Sequence, residues 1–286
     1  KMVREFKLVN EKGQEYSLMN VEKYCFLAEP SGLGFARTIE YEQLGNAFIE
    51  SISKIQQEPI TGNVLFKSYD NYNALVNFIA SSEKIKFAYK IPFQNGAKEY
   101  FKDIKIQSLS KTQKQINGLI SETINIDCLS LWYQEKNIIF DMSSQEDEMR
   151  WDFKWDTSRF VEYNNRSLEY VNNGHVEAPV EIEINGPVTN PRLELYIEGE
   201  LYQTVPITTK IEKYEKLLYG TKENKFYIEK VNTDGTIVDL FEEDVIDINN
   251  DNVIRFPKNK SCELRIMANE DITSATIKIY EYYIAI

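Results

Sequence analysis

Apolar and polar residues alternate along most of this chain, the signature of strands that bury one face. Phe6 and Leu8 alternate with polar neighbours, NEKG at 10–13 turns the chain, and Tyr16 and Leu18 resume the pattern, which predicts a hairpin. The clearest strand is IKFAYKIPF, where Ile85, Phe87, Tyr89, Ile91 and Phe93 recur at period two. It runs into QNGA, whose Asn-Gly pair is a strong hairpin signal, and then into YFKDIKIQS. Ile120, Glu122, Ile124, Ile126, Cys128, Ser130 and Trp132 fall on one face of a further long strand. A single segment has helical spacing: in SYDNYNALVNFIASSEK, Tyr72, Leu75, Val76 and Ile79 repeat at three and four, with Ser68 or Asp70 as N-cap. Leu75, Val76, Phe78 and Ile79 are expected to pack that helix on a sheet.

Beyond the polar run SSQEDEM at 143–149, the pattern shortens. VEIEINGPV, RLELYIEG, NVIRFP, SCELRIMAN and SATIKIYEY are brief alternating runs separated by turn residues, as in an antiparallel sandwich. Val180, Ile182 and Ile184 point one way, and Glu181 and Glu183 are expected to face water. The expected fold is therefore mainly β in two domains. Residues 1–145 form a β domain with one helix and a long hairpin, and residues 146–286 form a β-sandwich. No repeat of solenoid or propeller period is present.

Charge sharpens this division. The chain of 286 residues carries 33 Lys+Arg against 45 Asp+Glu, a net −12. Up to Gln145 the count is 17 against 17, so the whole excess, 16 against 28, lies in the second half. A net acidic surface repels phosphate backbones, which argues against direct nucleic-acid recognition. Met2 is read as the native start after a leading Lys1, and MVREFKLVNEKG has no apolar leader. No window approaches the roughly 18 apolar residues of a membrane span, so the protein is expected to be soluble and made in the cytoplasm.

Candidate chemistry thins out on inspection. Gly32 and Gly34 in EPSGLGFARTIEY suggest a nucleotide loop, but a dinucleotide fingerprint needs a third small residue where Arg37 stands and a helix opening there. The following residues, Phe35 to Glu42, alternate like a strand, so both glycines are read as turn residues permitting positive φ. DINNDN at 247–252 begins like a calcium loop, yet Asn252 and Lys258 occupy the positions where an EF-hand needs Gly and Glu, which leaves at most a weak cation site. The carboxylates of QEDE (145–148) and FEED (241–244) sit in polar loops and are read as solvated rather than as a glycosidase pair. His175 is the only histidine, in a loop and without a nucleophile elbow. Cys25, Cys128 and Cys262 are odd in number and widely spaced, which suggests core positions rather than disulfides or zinc. Trp151, Phe153 and Trp155 in RWDFKWD share a strand face; such a row can stack on sugar but is more often core. No catalytic, cofactor-binding or metal-binding residue is assigned, and the chain is expected not to be an enzyme.

The order of these features resembles the distal tail protein family of long-tailed bacteriophages and prophages. REFKLVNEKGQEYSL, FLAEPSGLGF and IEYEQLGNAFI resemble its N-terminus. The YDNYNALVNFIA helix, the IKFAYKIPF and YFKDIKIQSLSK hairpin and LSLWY resemble its middle. NNGHVEAPVEIEINGPVTNPRLEL and ATIKIYEYYIAI resemble its galectin-like sandwich. The resemblance implies a structural virion protein of the tail tip, without catalysis, cofactor or metal. It implies an N-terminal belt domain closing as a hexameric ring that joins the tail tube to the hub or tail-associated lysin, and a galectin-like domain outside it. Receptor-binding proteins are further implied partners. A different class remains open from the residues alone: a cell-surface carbohydrate-binding module whose second sandwich holds a glycan.

Overall fold

The computed structural model describes residues 4–20, 25–93, 96–112, 115–141, 166–222, 226–241, 252–268 and 274–286. The chain packs as two compact units: 1–134 together with 283–286, and 135–282. The boundary expected at 143–149 lies outside the described residues, as do Trp151, Phe153, Trp155 and the 145–148 carboxylates.

In the first unit the strands are β1 (Glu5–Asn10), β2 (Glu15–Ser17), β3 (Met19–Asn20), β4 (Cys25–Ser31), β5 (Ala36–Leu44), β6 (Ala47–Gln56) and β7 (Ile60–Phe66). After helix α1 (Tyr69–Ala80) come β8 (Ile85–Phe93), β9 (Gly96–Leu109), β10 (Gln115–Ile116), β11 (Leu119–Cys128) and β12 (Trp132–Asp141), whose last residues belong to the second unit. All the recorded pairings are antiparallel. The early hairpin forms as expected, with Leu8 opposite Tyr16 and Gly13 at φ +73° in its turn. The long hairpin forms too, Phe93 opposite Gly96 and Tyr89 opposite Tyr100. Its turn residues Gln94 and Asn95 lie outside the described set. At fourteen residues, β9 is long enough to serve two layers: its first half pairs β8, its second half pairs β11. The inward faces of β1, β8 and β9 meet those of β4, β7 and β11 in one core containing Phe6, Leu8, Phe87, Val64, Phe66 and Ile124.

The expected strand through Ser130 ends earlier. β11 stops at Cys128, and β12 starts at Trp132 after a connection in which Leu129 is exposed. Glu122, on the buried face of β11, is fully enclosed because its carboxylate accepts hydrogen bonds from Thr112 N–H (2.7 and 2.9 Å), Ser110 Oγ (2.9 Å) and Thr112 Oγ1 (3.2 Å). These donors fix the turn after β9. Glu122→Ala leaves them unpaired and is expected to lower stability by about 2–3 kcal/mol, read as a lower urea midpoint with unchanged slope for the first unit. A shift under half of that would mean water replaces the carboxylate.

Helix α1 follows Ser68 at extended φ, but the serine gives no side-chain cap; its hydroxyl donates to Asn71 Oδ1 (2.9 Å). Tyr72 and Leu75 are buried and Phe78 and Ile79 pack on the core, whereas Val76, expected to pack, is exposed. Gly32 has φ +77° and a Cβ there would stand 2.0 Å from the Pro59 carbonyl oxygen, so only glycine fits. Gly34 is different. It has no positive φ and open space around it, so the expectation for that glycine does not hold.

The second unit contains β13 (Arg166–Val171), β14 (Ala178–Asn185), β15 (Val188–Thr189), β16 (Arg192–Ile197), β17 (Glu200–Pro206), β18 (Lys210–Ile211) and β19 (Lys216–Gly220). It continues with β20 (Tyr227–Val231), β21 (Ile237–Asp239), β22 (Arg255–Phe256), β23 (Ser261–Met267) and β24 (Ser274–Tyr283). One sheet runs β21-β20-β19-β14-β24 and the other β13-β23-β16-β17. Val180, Ile182, Tyr219 and Ile277 from the first meet Leu193, Leu195, Leu264 and Ile266 from the second in one core, which makes a sandwich. Glu181 and Glu183 are only half exposed: Glu181 accepts from Tyr280 Oη (2.6 Å), and Glu183 pairs with Lys216 (2.8 Å).

All three cysteines are buried and none is disulfide-bonded. Burial pushes the Cys25 and Cys262 thiols up to about 11 and raises Cys128 as well, against a lowering influence from Lys102. At pH 8 only about a thousandth of a thiol with that pKa is thiolate, so the folded protein is expected to resist a chromogenic disulfide reagent and the unfolded chain to react at three sites. Because an unfolded thiol ionises first, near 8.5, this contribution to stability is complete below that pH and is lost as pH rises toward 11. Rapid titration of the native protein at pH 8 would contradict the burial.

Candidate functional site

The feature of the first unit that its own folding does not explain is a two-stranded arm. β5 and β6 pair only with each other, with Ala36 opposite Gln56 at the base and Leu44 opposite Ala47 at the tip. A bulge at Glu40/Tyr41 interrupts the register, and there Ser51 Oγ donates to the Glu40 carbonyl (3.2 Å). A hairpin with no further strand is marginally stable in water, and this one hides almost nothing: apart from the half-buried Ala36, every residue of both strands is exposed. Yet both faces carry large apolar side chains among their polar ones. Leu44, Ile49 and Ile52 lie on one, and Ile39, Tyr41, Phe48 and Ile55 on the other. Phe48 is 71% exposed and Leu44 69% exposed. Contiguous exposed apolar surface of this kind marks an interaction site.

The arm is set rigidly at its root. Gln57 Nε2 donates to the Cys128 carbonyl (2.6 Å), Trp132 Nε1 to the Leu33 carbonyl (3.1 Å), and Gly32 closes against Pro59. Between these anchors opens a cleft of about 490 Å3, lined in part by Phe35, Ile55, Leu129 and Leu131. Lys102 also lines it. This lysine comes from the core face of β9, between Tyr100 and Ile104, and is 6% exposed. Its ammonium stands 4.9 Å from the Trp132 ring centroid, and Trp132 itself packs on Phe87 and Tyr89. No carboxylate among the described residues forms an ion pair with Lys102, including Glu58, which shares the cleft.

In the second unit a polar row crosses the outer face of β16 and β23. Arg265 makes a two-pronged pair with Glu263 (2.8 and 2.9 Å), which holds the glutamate below the usual carboxylate range, and its guanidinium covers the Tyr196 ring at 4.2 Å. Arg192 pairs with Glu194 (2.9 Å), which accepts from Tyr196 Oη (3.0 Å). These groups satisfy one another, and the aromatic face a sugar ring would stack on is taken. His175 is exposed, its backbone N–H donating to the Tyr282 carbonyl (2.7 Å). Of the 247–252 segment only Asn252 is described, buried, its carbonyl accepting from Tyr219 Oη (2.7 Å).

Alternation marks Phe35–Glu42 as a strand, but its partner strand, its isolation from the sheet and the burial of Lys102 were not among the sequence-based expectations. The signals were present: Gly45-Asn46 between two alternating runs, and a lysine inside an inward period-two stripe.

Residues 5–129 match the family model described as distal tail protein, N-terminal domain. Its first unit therefore carries the N-terminal domain of the distal tail protein family. Among curated proteins none matches it in sequence. Solved structures extend the likeness over the full length. The phage P2 baseplate in its activated conformation with calcium aligns at a TM-score of 0.66 and 16% identity, over 100% of both chains. The same baseplate with strontium gives 0.65 and 15%, again over 100% of both. The Dit protein of phage SPP1, described as a paradigm of the hub adsorption apparatus in phages infecting Gram-positive bacteria, gives 0.57 and 10% over 96% of this chain and 98% of that one. At such identities these likenesses establish the fold, so this chain shares its architecture with them over its length. It is a structural protein of the phage tail.

Proposed function

We propose that this distal tail protein acts without catalysis as a ring, six copies closing through the first unit, at the tip of the tail. The ring joins the tail tube to the hub or tail-associated lysin, while the second, acidic unit stands outside as a galectin-like decoration that helps anchor host-adsorption proteins. The observation that carries this reading is the arm: a rigidly rooted hairpin with large apolar side chains on both faces, in the family's N-terminal domain, has no reason to persist in water unless another subunit covers it. A closed ring uses heterologous contacts, one patch of each copy meeting a different patch of the next. Charge is consistent with that role, because residues up to 145 are net neutral and can crowd together while the −12 excess is spread outward. On this reading the protein assembles in the host cytoplasm and resides in the virion.

The test is co-expression of the full chain with its tail-tube and hub proteins and imaging of the complex. Rings of six with the first unit lining the channel are expected. A single copy at the tube end, or the second unit lining the channel, would overturn the proposal.

A further inference from the structure

We infer that the cleft at the root of the arm receives the arm tip of a second copy, so that the tip carboxylates Glu42 and Glu50 meet Lys102. This rests on the ring reading and names its two complementary patches. Three observations carry it.

The first is a buried cation whose partners are the Trp132 ring and the Cys128 thiol rather than a carboxylate. Lys102 is more than nine-tenths buried, lines an open cleft and has no carboxylate at ion-pair distance among the described residues. A ring face under an ammonium offsets only part of its lost hydration, so an occupant that brings a carboxylate is strongly favoured over one that does not. The second is charge on the arm. From residue 38 to residue 53 it holds Glu40, Glu42 and Glu50 and no lysine or arginine. The outer arm is thus a strip of apolar side chains with an anionic excess, and the cleft is a mixed recess in which Phe35, Ile55, Leu129 and Leu131 accompany the buried Lys102, with the half-buried Glu58 also in its lining. Glu42 and Glu50 project from opposite faces of the arm, opposite Ile49 and Tyr41 respectively, so one of them faces Lys102 whichever way the tip enters.

The third is shape. A strip with large apolar side chains on both faces is not covered by lying on a flat sheet; it needs a recess that closes on two sides, and a cleft of about 490 Å3 is of the size that takes several side chains. The arm cannot fill its own cleft. Its nine-residue β5 runs about 30 Å from root to tip at 3.3 Å per residue. A tip seated in the next copy's root therefore displaces neighbours by roughly that distance, which is close to the width of a body of this size. Because root and tip are different patches, the contact propagates head to tail and closes only if the rotation per copy allows it.

The experiment is disulfide trapping in the full chain co-expressed with its tube and hub proteins. Phe48→Cys is placed in one copy and Leu129→Cys in another, with Ile237→Cys as the exposed control. Mild oxidation is expected to give a mixed dimer of the Phe48→Cys and Leu129→Cys chains at least about tenfold above the control pair. Adding Glu42→Lys and Glu50→Lys to the Phe48→Cys chain is expected to lower that yield about tenfold, since these residues are outside the core and their loss does not touch folding. Lys102→Met, which keeps the stem and removes the charge, is expected to lower it similarly.

Rings with trapping no better than the control would overturn the inference and leave the ring reading intact. So would capture of the Phe48→Cys chain by the tube or hub protein, or only by a second Phe48→Cys chain. Neither rings nor trapping would overturn both. Trapped mixed dimers with open chains in place of rings would support the tip-in-cleft contact and refute closure.

Discussion

Excising residues 37–55 and joining Ala36 to Gln56 through an Asn-Gly turn is expected to yield a chain that folds normally and does not assemble. Folding should survive because no residue of that segment contributes to either hydrophobic core, and Ala36 and Gln56 already face each other across the hairpin base at the spacing a two-residue turn requires. The urea midpoint of the first unit should stay within about 1 kcal/mol of the parent, since removing exposed apolar surface changes little in the folded state. Assembly should fail because the excision removes the whole set of exposed apolar side chains on the arm, among them Tyr41, Leu44, Phe48 and Ile49. Loss of a contact of that size is expected to weaken association by several orders of magnitude, visible as monomer mass in light scattering where the parent, with its tail partners, runs as a ring. Rings of the excised chain would show that the arm serves something other than its neighbour.

The second large effect is expected at the arm's root. Trp132→Ala removes a fully buried side chain that packs on Phe87 and Tyr89, lies under the Lys102 ammonium and donates from Nε1 to the Leu33 carbonyl. Tryptophan-to-alanine changes in a core cost about 3–5 kcal/mol, and here the cavity would open beneath a buried cation that has lost its ring partner. Hydrogen exchange resolved by residue is the measurement, because two units need not unfold together. Protection should fall across β8, β9 and β11 and remain unchanged across β14 and β23, whose core shares no residue with the first. Equal loss in both sandwiches would mean that the cores are coupled. Trp132→Phe, which keeps a ring face but not the indole N–H, should recover most of the stability and leave the Leu33 carbonyl unpaired, separating packing from the root anchor.

These two effects differ in kind, and the difference explains what could be read in advance. Phe87 and Ile124 were legible as inward positions because they sit in period-two stripes, and burial within one chain is what such stripes record, whereas Trp132 opens a new strand and its burial is a matter of packing. The N-terminal hairpin, the β8–β9 hairpin, helix α1 and the short strands of the second unit were legible for the same reason. Val76 was misjudged because helical spacing specifies a stripe and not how wide a strip the sheet covers. Gly34 was misjudged because a glycine's φ is set by the path of its neighbours; Gly32 needs its φ because Pro59 comes close from the other strand.

By itself the sequence determined the class of the fold, the acidic bias of residues 146–286, and the absence of any familiar nucleotide, zinc or hydrolase motif. All of these are written in period, composition and local spacing. Only the tertiary structure decided that β5 and β6 leave the sheet as an arm, that Lys102 turns inward over Trp132, and that the last four residues return to the first unit. Alternation says that a strand has two faces; it does not say whether the surface covering a face belongs to the same chain. Where that surface belongs to another molecule, as we propose for the arm, the pattern of a buried strand and that of an exposed one are written identically, and long-range packing alone tells them apart.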